Sequence, residues 1–168
     1  FANPNTGQHA IREALRVATA NGVRVALTCS EAFVPQAFGG PFQEALKQSD
    51  LLFCNAVEAM AVAGGYTAEE SFIRLKDVVP NAVVTDGPNG AYVRFGGEEH
   101  HVPAFPCKPV DLTGAGDMFA GAFLHGITRD VPPAKAARAA NFLAMKVITQ
   151  IGARLHHGAR DYWAEAVA

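Results

Sequence analysis

Asp111-Leu112-Thr113-Gly114-Ala115-Gly116-Asp117, running straight into Met118-Phe119-Ala120-Gly121-Ala122-Phe123-Leu124, reads as a glycine-rich turn that opens an apolar helix. Two glycines around Ala115 would weaken a helix if they lay inside it. They make sense where backbone must come close to a ligand. The first N–H groups of such a helix have no partner in the preceding turn and gather anions. Asp117 sets a carboxylate beside them, able to take a proton from an attacking hydroxyl. The plainer reading is an acidic first turn that stabilises the helix dipole by about 0.3–1 kcal/mol. The stretch does not fit a P-loop, for no Gly-x-x-x-x-Gly-Lys-Ser/Thr occurs, nor a dinucleotide fingerprint, since Phe119 stands where the third glycine belongs.

Working outward, Gln8 to Ala20 carries Ile11, Ala14, Leu15 and Ala18 at helical spacing, with Asn21-Gly22 as its stop. Val23 to Thr28 reads as a buried strand, and Pro35, Gly39, Gly40 and Pro41 as a loop before a short helix over Phe42 to Gln48. Leu51 to Cys54 is a second strand, followed by helices over Ala56 to Ala63 and Ala68 to Lys76. Asn81 to Thr85 and Ala91 to Phe95 flank the turn Asp86-Gly87-Pro88-Asn89-Gly90. A strand over His100 to Ala104 precedes two long helices, Gly114 to Ile127 and Pro132 to Ile151, the second closed by Gly152. A last helix covers Asp161 to Val167.

This alternation implies an α/β fold, a mainly parallel sheet with helices on both faces and antiparallel hairpins at one side. In such sheets ligands bind beyond the carboxyl ends of the strands. Asn55, Thr85 and the Asp111 loop are expected on that edge. With 168 residues and 49% hydrophobic content, the chain is expected to form a single domain over 1–168. No apolar run is long enough to cross a bilayer, and a net charge of −2 with scattered basic residues gives no footprint for nucleic acid or membrane. Cys29, Cys54 and Cys107 are odd in number and far apart, which argues against a disulfide framework and against zinc. A cytoplasmic setting is the expectation. The start, Phe1-Ala2-Asn3-Pro4, has neither an initiator Met nor a signal-peptide pattern, so the chain reads as a portion of a longer one.

Four ordered segments together resemble the ribokinase (PfkB) family of sugar and nucleoside kinases. Asp111 to Asp117 resembles its signature, and Asn55-Ala56-Val57-Glu58 its Asn-x-x-Glu motif. Val84 to Ala91 resembles its nucleotide-binding strand and turn. Ala140-Asn141 with Gly152-Ala153-Arg154 resembles its closing helix and adenine-side loop. The likeness runs from Asn55 almost to the end. It implies a ribokinase-like fold lacking the N-terminal half and lid, with Asp111 to Leu124 resembling the bacterial adenosine-kinase-like and sugar-kinase branch.

The resemblance also implies roles. Asp117 is the catalytic base, and Gly114, Ala115 and Gly116 offer N–H groups to the γ-phosphate of ATP. Asn55 and Glu58 organise Mg²⁺ and phosphates, largely through water. Alone, that pair reads as an ordinary helix cap and first-turn acid. Thr85, Gly87 and Gly90 line the nucleotide, though locally they fit a plain hairpin turn equally well. Asn141 lies beside the adenine. Asp111, Thr113 and Gly152 resemble the family's monovalent-cation (K⁺) site.

Two departures stand out, Leu112 where many members carry Thr and His156 where some carry Ser. His156-His157 and His100-His101 read as solvated loop residues rather than metal ligands. The expected activity is transfer of the γ-phosphate of MgATP to a hydroxyl of an adenosine-like nucleoside or a sugar. The rival is an ATP-binding fragment or degenerate module without catalysis. A hydrolase is disfavoured by the lack of a Gly-x-Ser-x-Gly elbow. The expected partner is the small-molecule substrate, with an uncovered sheet edge inviting a homodimer.

Overall fold

The computed structural model describes residues 1–167. Helix α1 (Gly7–Ala20) leads to β1 (Ala26–Thr28), then α2 (Phe33–Ala37), α3 (Gly39–Lys47) and β2 (Leu51–Asn55). Next come α4 (Ala56–Ala63), α5 (Ala68–Arg74), β3 (Asn81–Thr85), β4 (Ala91–Phe95) and β5 (Glu98–Val102). Three helices close the chain: α6 (Ala115–Ile127), α7 (Pro133–Ile148) and α8 (Ala159–Val167). The strands form one mixed sheet in the order β1-β2-β3-β4-β5. β1 and β2 run parallel, Thr28 opposite Phe53. Asn81, at the start of β3, donates to the carbonyl of Asp50 just before β2, so these two strands also run the same way.

The chain packs into two compact units, one of Phe1–Val84 with Arg94–Gly97, the other of Thr85–Val93 with Glu98 onward. In the first, Phe42, Leu46, Leu52, Leu75 and Val83 are almost fully buried. Their burial follows from β2 and β3 reading as continuous apolar runs, the pattern of strands covered on both faces. α5 is started by Thr67, whose hydroxyl accepts from the Glu70 amide. Arg94 lies over the Phe72 ring and donates to the Phe72 carbonyl. In the second unit, Phe123 of α6 and Leu143 and Val147 of α7 are buried with a run of alanines, Ala136, Ala137, Ala139 and Ala140. Small residues let the two helices approach closely. A Cβ on Gly126 would stand 2.7 Å from that of Ala136.

Several boundaries differ from the sequence reading, each for a physical reason. The stretch around Pro35 to Pro41, expected as a loop, is the pair α2 and α3. Both prolines fall in a first helical turn, where a missing N–H costs nothing. β1 is shorter than expected because the Val25 amide goes to the Asp50 carboxylate. β5 is Glu98–Val102 rather than 100–104, and Pro103 behind it has no N–H for a ladder. α7 ends at Ile148, not at Gly152, because the Ile148 carbonyl accepts from Val110 and Asp111. Cys29 and Cys54 are buried, Cys107 is exposed, and all three are free thiols. Among the described residues no helix is long and apolar enough to cross a membrane.

Candidate active site

Asp111 builds the entrance to α6. Its carboxylate accepts from the Thr113 amide at 2.9 Å, a local turn, and from the Gly152 amide at 2.9 Å. The loop before α6 and the loop after α7 are thereby tied together. The Thr113 bonds first, and the Gly152 amide after them, hold the Asp111 carboxyl below its ordinary pKa. Thr113 and Gly152 thus enter the structure as amide donors to Asp111. Of the residues expected around a monovalent cation, these three are brought together.

Gly114 follows with φ +81, and a Cβ there would stand 2.6 Å from the Ala153 carbonyl oxygen and 2.9 Å from its Cα. Only glycine fits such a left-handed, crowded position. The chain turns there into α6 with no side chain capping the helix. Ala115 donates its N–H to Leu112 at 3.3 Å, a long bond. Gly116 and Asp117 lie in the first turn, where N–H groups lack intrahelical partners. A Cβ on Gly116 would meet nothing within 4 Å, so its surroundings are open. The start of α6 is therefore uncapped and open, with the Asp117 carboxylate in its first turn.

Asp117 is exposed and lines a half-open cavity of about 930 Å³ bordered by α6, α7, α8 and the Ala153-Arg154 loop. Sequence reasoning missed the rest of that wall: His125, Arg129, Arg160 and Trp163. The signal was legible in part, because Asp117, Gly121 and His125 recur every four residues on one face of α6, with Arg129 in the turn just past its end.

Asn141 is buried and its amide donates to the carbonyls of Val102 and Pro103, both at 3.1 Å, fastening α7 to the end of β5. Gly90 has φ +99, and a Cβ there would collide with the Val102 carbonyl at 2.1 Å. Gly87 also has positive φ, +52, but stands in open space. Thr85 ends β3, half-buried. The turn glycines therefore serve the hairpin geometry, with Gly87 and Thr85 left accessible.

Asn55 and Glu58 belong to the other unit. They form a reciprocal cap on α4: the Asn55 side chain accepts from the Glu58 amide and the Glu58 carboxylate from the Asn55 amide, each at 2.9 Å. Glu58 is buried, and burial pushes its carboxyl up, against the Asn55 bond. Among the described residues no three His, Cys, Asp or Glu side chains gather to hold a metal.

The model of the pfkB family carbohydrate kinases matches residues 1–157. The chain belongs to the PfkB family. Inositol 3-kinase of Zea mays is 36% identical over 75 residues, 45% of this chain and 20% of that one. Among solved structures, adenosine kinase from Sinorhizobium meliloti superposes with a TM-score of 0.86 at 32% identity, covering 94% of this chain and 49% of that one. A probable sugar kinase protein from Rhizobium etli gives 0.86 at 31%, covering 94% and 48%. The PfkB-family chain thus has a ribokinase-like fold and spans about half the length of these structures. A mixed sheet with helices was legible from the sequence, and so was the family.

Proposed function

We propose that this PfkB-family chain carries the nucleotide side and the catalytic base of a kinase that moves the γ-phosphate of MgATP to a hydroxyl of an adenosine-like nucleoside or a sugar. One observation carries the reading: an uncapped α6 opens at a left-handed Gly114, with Asp117 in its first turn on the wall of a large cavity. Phosphoryl transfer passes through a loose transition state, so fixed positive dipoles and positioning do most of the catalysis. The amides of the Gly114–Gly116 turn hold charge developing on the phosphoryl oxygens. Asp117 orients the acceptor hydroxyl and takes its proton as the bond to phosphorus forms. Magnesium, when bound, would neutralise charge on the phosphates, and Asn55 and Glu58 are the residues that would hold it through water. Asp111 positions the turn from behind, through its bonds to Thr113 and Gly152.

The test is Asp117→Asn, assayed for ATP consumption across a panel of nucleosides and sugars, with nucleotide affinity measured in parallel. Proton transfer by a positioned base contributes on the order of 10²–10⁴ in rate, and the loss should fall in that range or beyond it. ATP affinity should stay nearly unchanged, for the amides are untouched. A variant that keeps its turnover removes Asp117 as the base. ATP binding with no transfer to any acceptor, in the unsubstituted protein, favours a nucleotide-binding module instead.

A further inference from the structure

Positive charge collects without a counter-charge along the cavity wall away from Asp117. His125 stands eight residues after Asp117 on α6, about 12 Å along the axis at ~1.5 Å per residue. Arg129 Nη1 lies 3.0 Å from His125 Nδ1 and also reaches the His125 carbonyl. The His125 ring packs edge-on against Trp163 of α8, with centroids 4.5 Å apart. Arg160, one helical turn before Trp163, lines the same cavity, as does Arg154. Among the described residues no carboxylate pairs with Arg129, Arg154 or Arg160. Loss of hydration and then the charges of Arg129 and Arg160 hold His125 below the ordinary imidazole value.

Like charges crowded together cost energy unless something opposes them. Each guanidinium offers five donors in a planar fork suited to phosphate. With His125 Nδ1 accepting from Arg129, a neutral ring carries its proton on Nε2, a further donor. Trp163, half-buried, supplies an apolar wall to the same cavity.

We propose that this part of the cavity binds a small organic phosphate: its phosphate is held by Arg129, Arg160 and His125, and its organic part rests on Trp163. The site is about two helical turns from the amides assigned above to the γ-phosphate. It does not depend on the kinase reading.

Trp163 is the only tryptophan of the chain, so its fluorescence reports this site alone. The probes are phenyl phosphate, inorganic phosphate and phenol, titrated against the purified protein. Phenyl phosphate should shift the emission saturably, inorganic phosphate should do so at least about tenfold more weakly, and phenol should not saturate. Arg129→Gln combined with Arg160→Gln should weaken phenyl phosphate at least about tenfold, since each charge-assisted bond is worth about that much. Both arginines are exposed, so the double variant should keep the circular dichroism and melting temperature of the parent. No emission change with phenyl phosphate, equal affinity for the two phosphates, or an undiminished response in the double variant would each overturn the proposal.

Discussion

Two carboxylates in this chain are shifted in opposite directions from their ordinary pKa, and the difference can be read in a pH titration of stability. Asp111 accepts two backbone N–H bonds in its charged form, so its folded pKa lies below the ordinary value. The stability it contributes is present above the ordinary carboxylate range and is lost as pH falls through the lowered folded value. Asp111→Asn should therefore be less stable than the parent at neutral pH, with the gap closing below about pH 4. Glu58 is the reverse, raised by burial. The folded state then binds the proton more tightly, and the parent loses stability as pH rises from the ordinary carboxylate range through the raised folded value. Glu58→Gln retains an oxygen that can accept from the Asn55 amide but carries no charge. Its stability relative to the parent should improve as pH rises from about 4.3. Urea unfolding at a series of pH values between 3 and 8 measures both. Parallel profiles for parent and variants would contradict both assignments.

At the scale of the element, α6 separates a glycine required by the fold from one the fold does not need. Gly114 is left-handed and crowded by Ala153, so Gly114→Ala should destabilise by at least the ~1–2 kcal/mol of a left-handed residue. Gly116 is helical with nothing near its absent Cβ, so Gly116→Ala should add about 0.5–1 kcal/mol of stability. If the Gly116 amide meets phosphate, the same methyl obstructs the approach, and ATP turnover should fall while the melting temperature rises. A Gly116→Ala variant with undiminished turnover would detach the phosphate from this turn. The start of α6 was legible because its glycines and Asp117 sit in one short, local window. What was not legible came from partners distant in sequence. Asn141 is an ordinary helix residue until Val102 and Pro103 are brought to its amide. Gly152, forty-one residues from Asp111, was set beside it by the family resemblance and by no local signal, and that its amide would donate to the Asp111 carboxylate was not foreseen. The apolar pattern predicted α7 through Ile151, but the Ile148 carbonyl turned to Val110 and Asp111, and the helix stopped there. The alternate-strand pattern of an α/β chain survived because it depends on local apolar runs. The cavity wall did not, because α8 reaches it only through tertiary folding.

Across the molecule the division between inside and outside sets what can be changed. Leu52, on β2, is fully buried, while Leu112, in the loop that Asp111 fastens, is 68% exposed. Val110 and Ile151, in that loop and the one tied to it, are also exposed, at 61% and 77%. Apolar side chains left in water at a loop cluster do not support the fold, because burial supplies the hydrophobic stabilisation. Leu52→Ala removes buried methyl groups and leaves a cavity that a sheet interior cannot collapse, a loss of about 2–5 kcal/mol. For a chain of this size each kcal/mol lowers the melting temperature by roughly 2–4 °C, so a fall of about 4–20 °C is expected. Leu112→Ala should stay within about 0.5 kcal/mol of the parent and melt with it. Scanning calorimetry of the two variants beside the parent makes the comparison with one side-chain type and one truncation. Equal shifts in the two would mean that Leu52 is not sealed in the sheet or that Leu112 is not open to solvent. A shift confined to Leu52→Ala would confirm the partition and leave Leu112 free to serve whatever ligand the Asp111 loop meets.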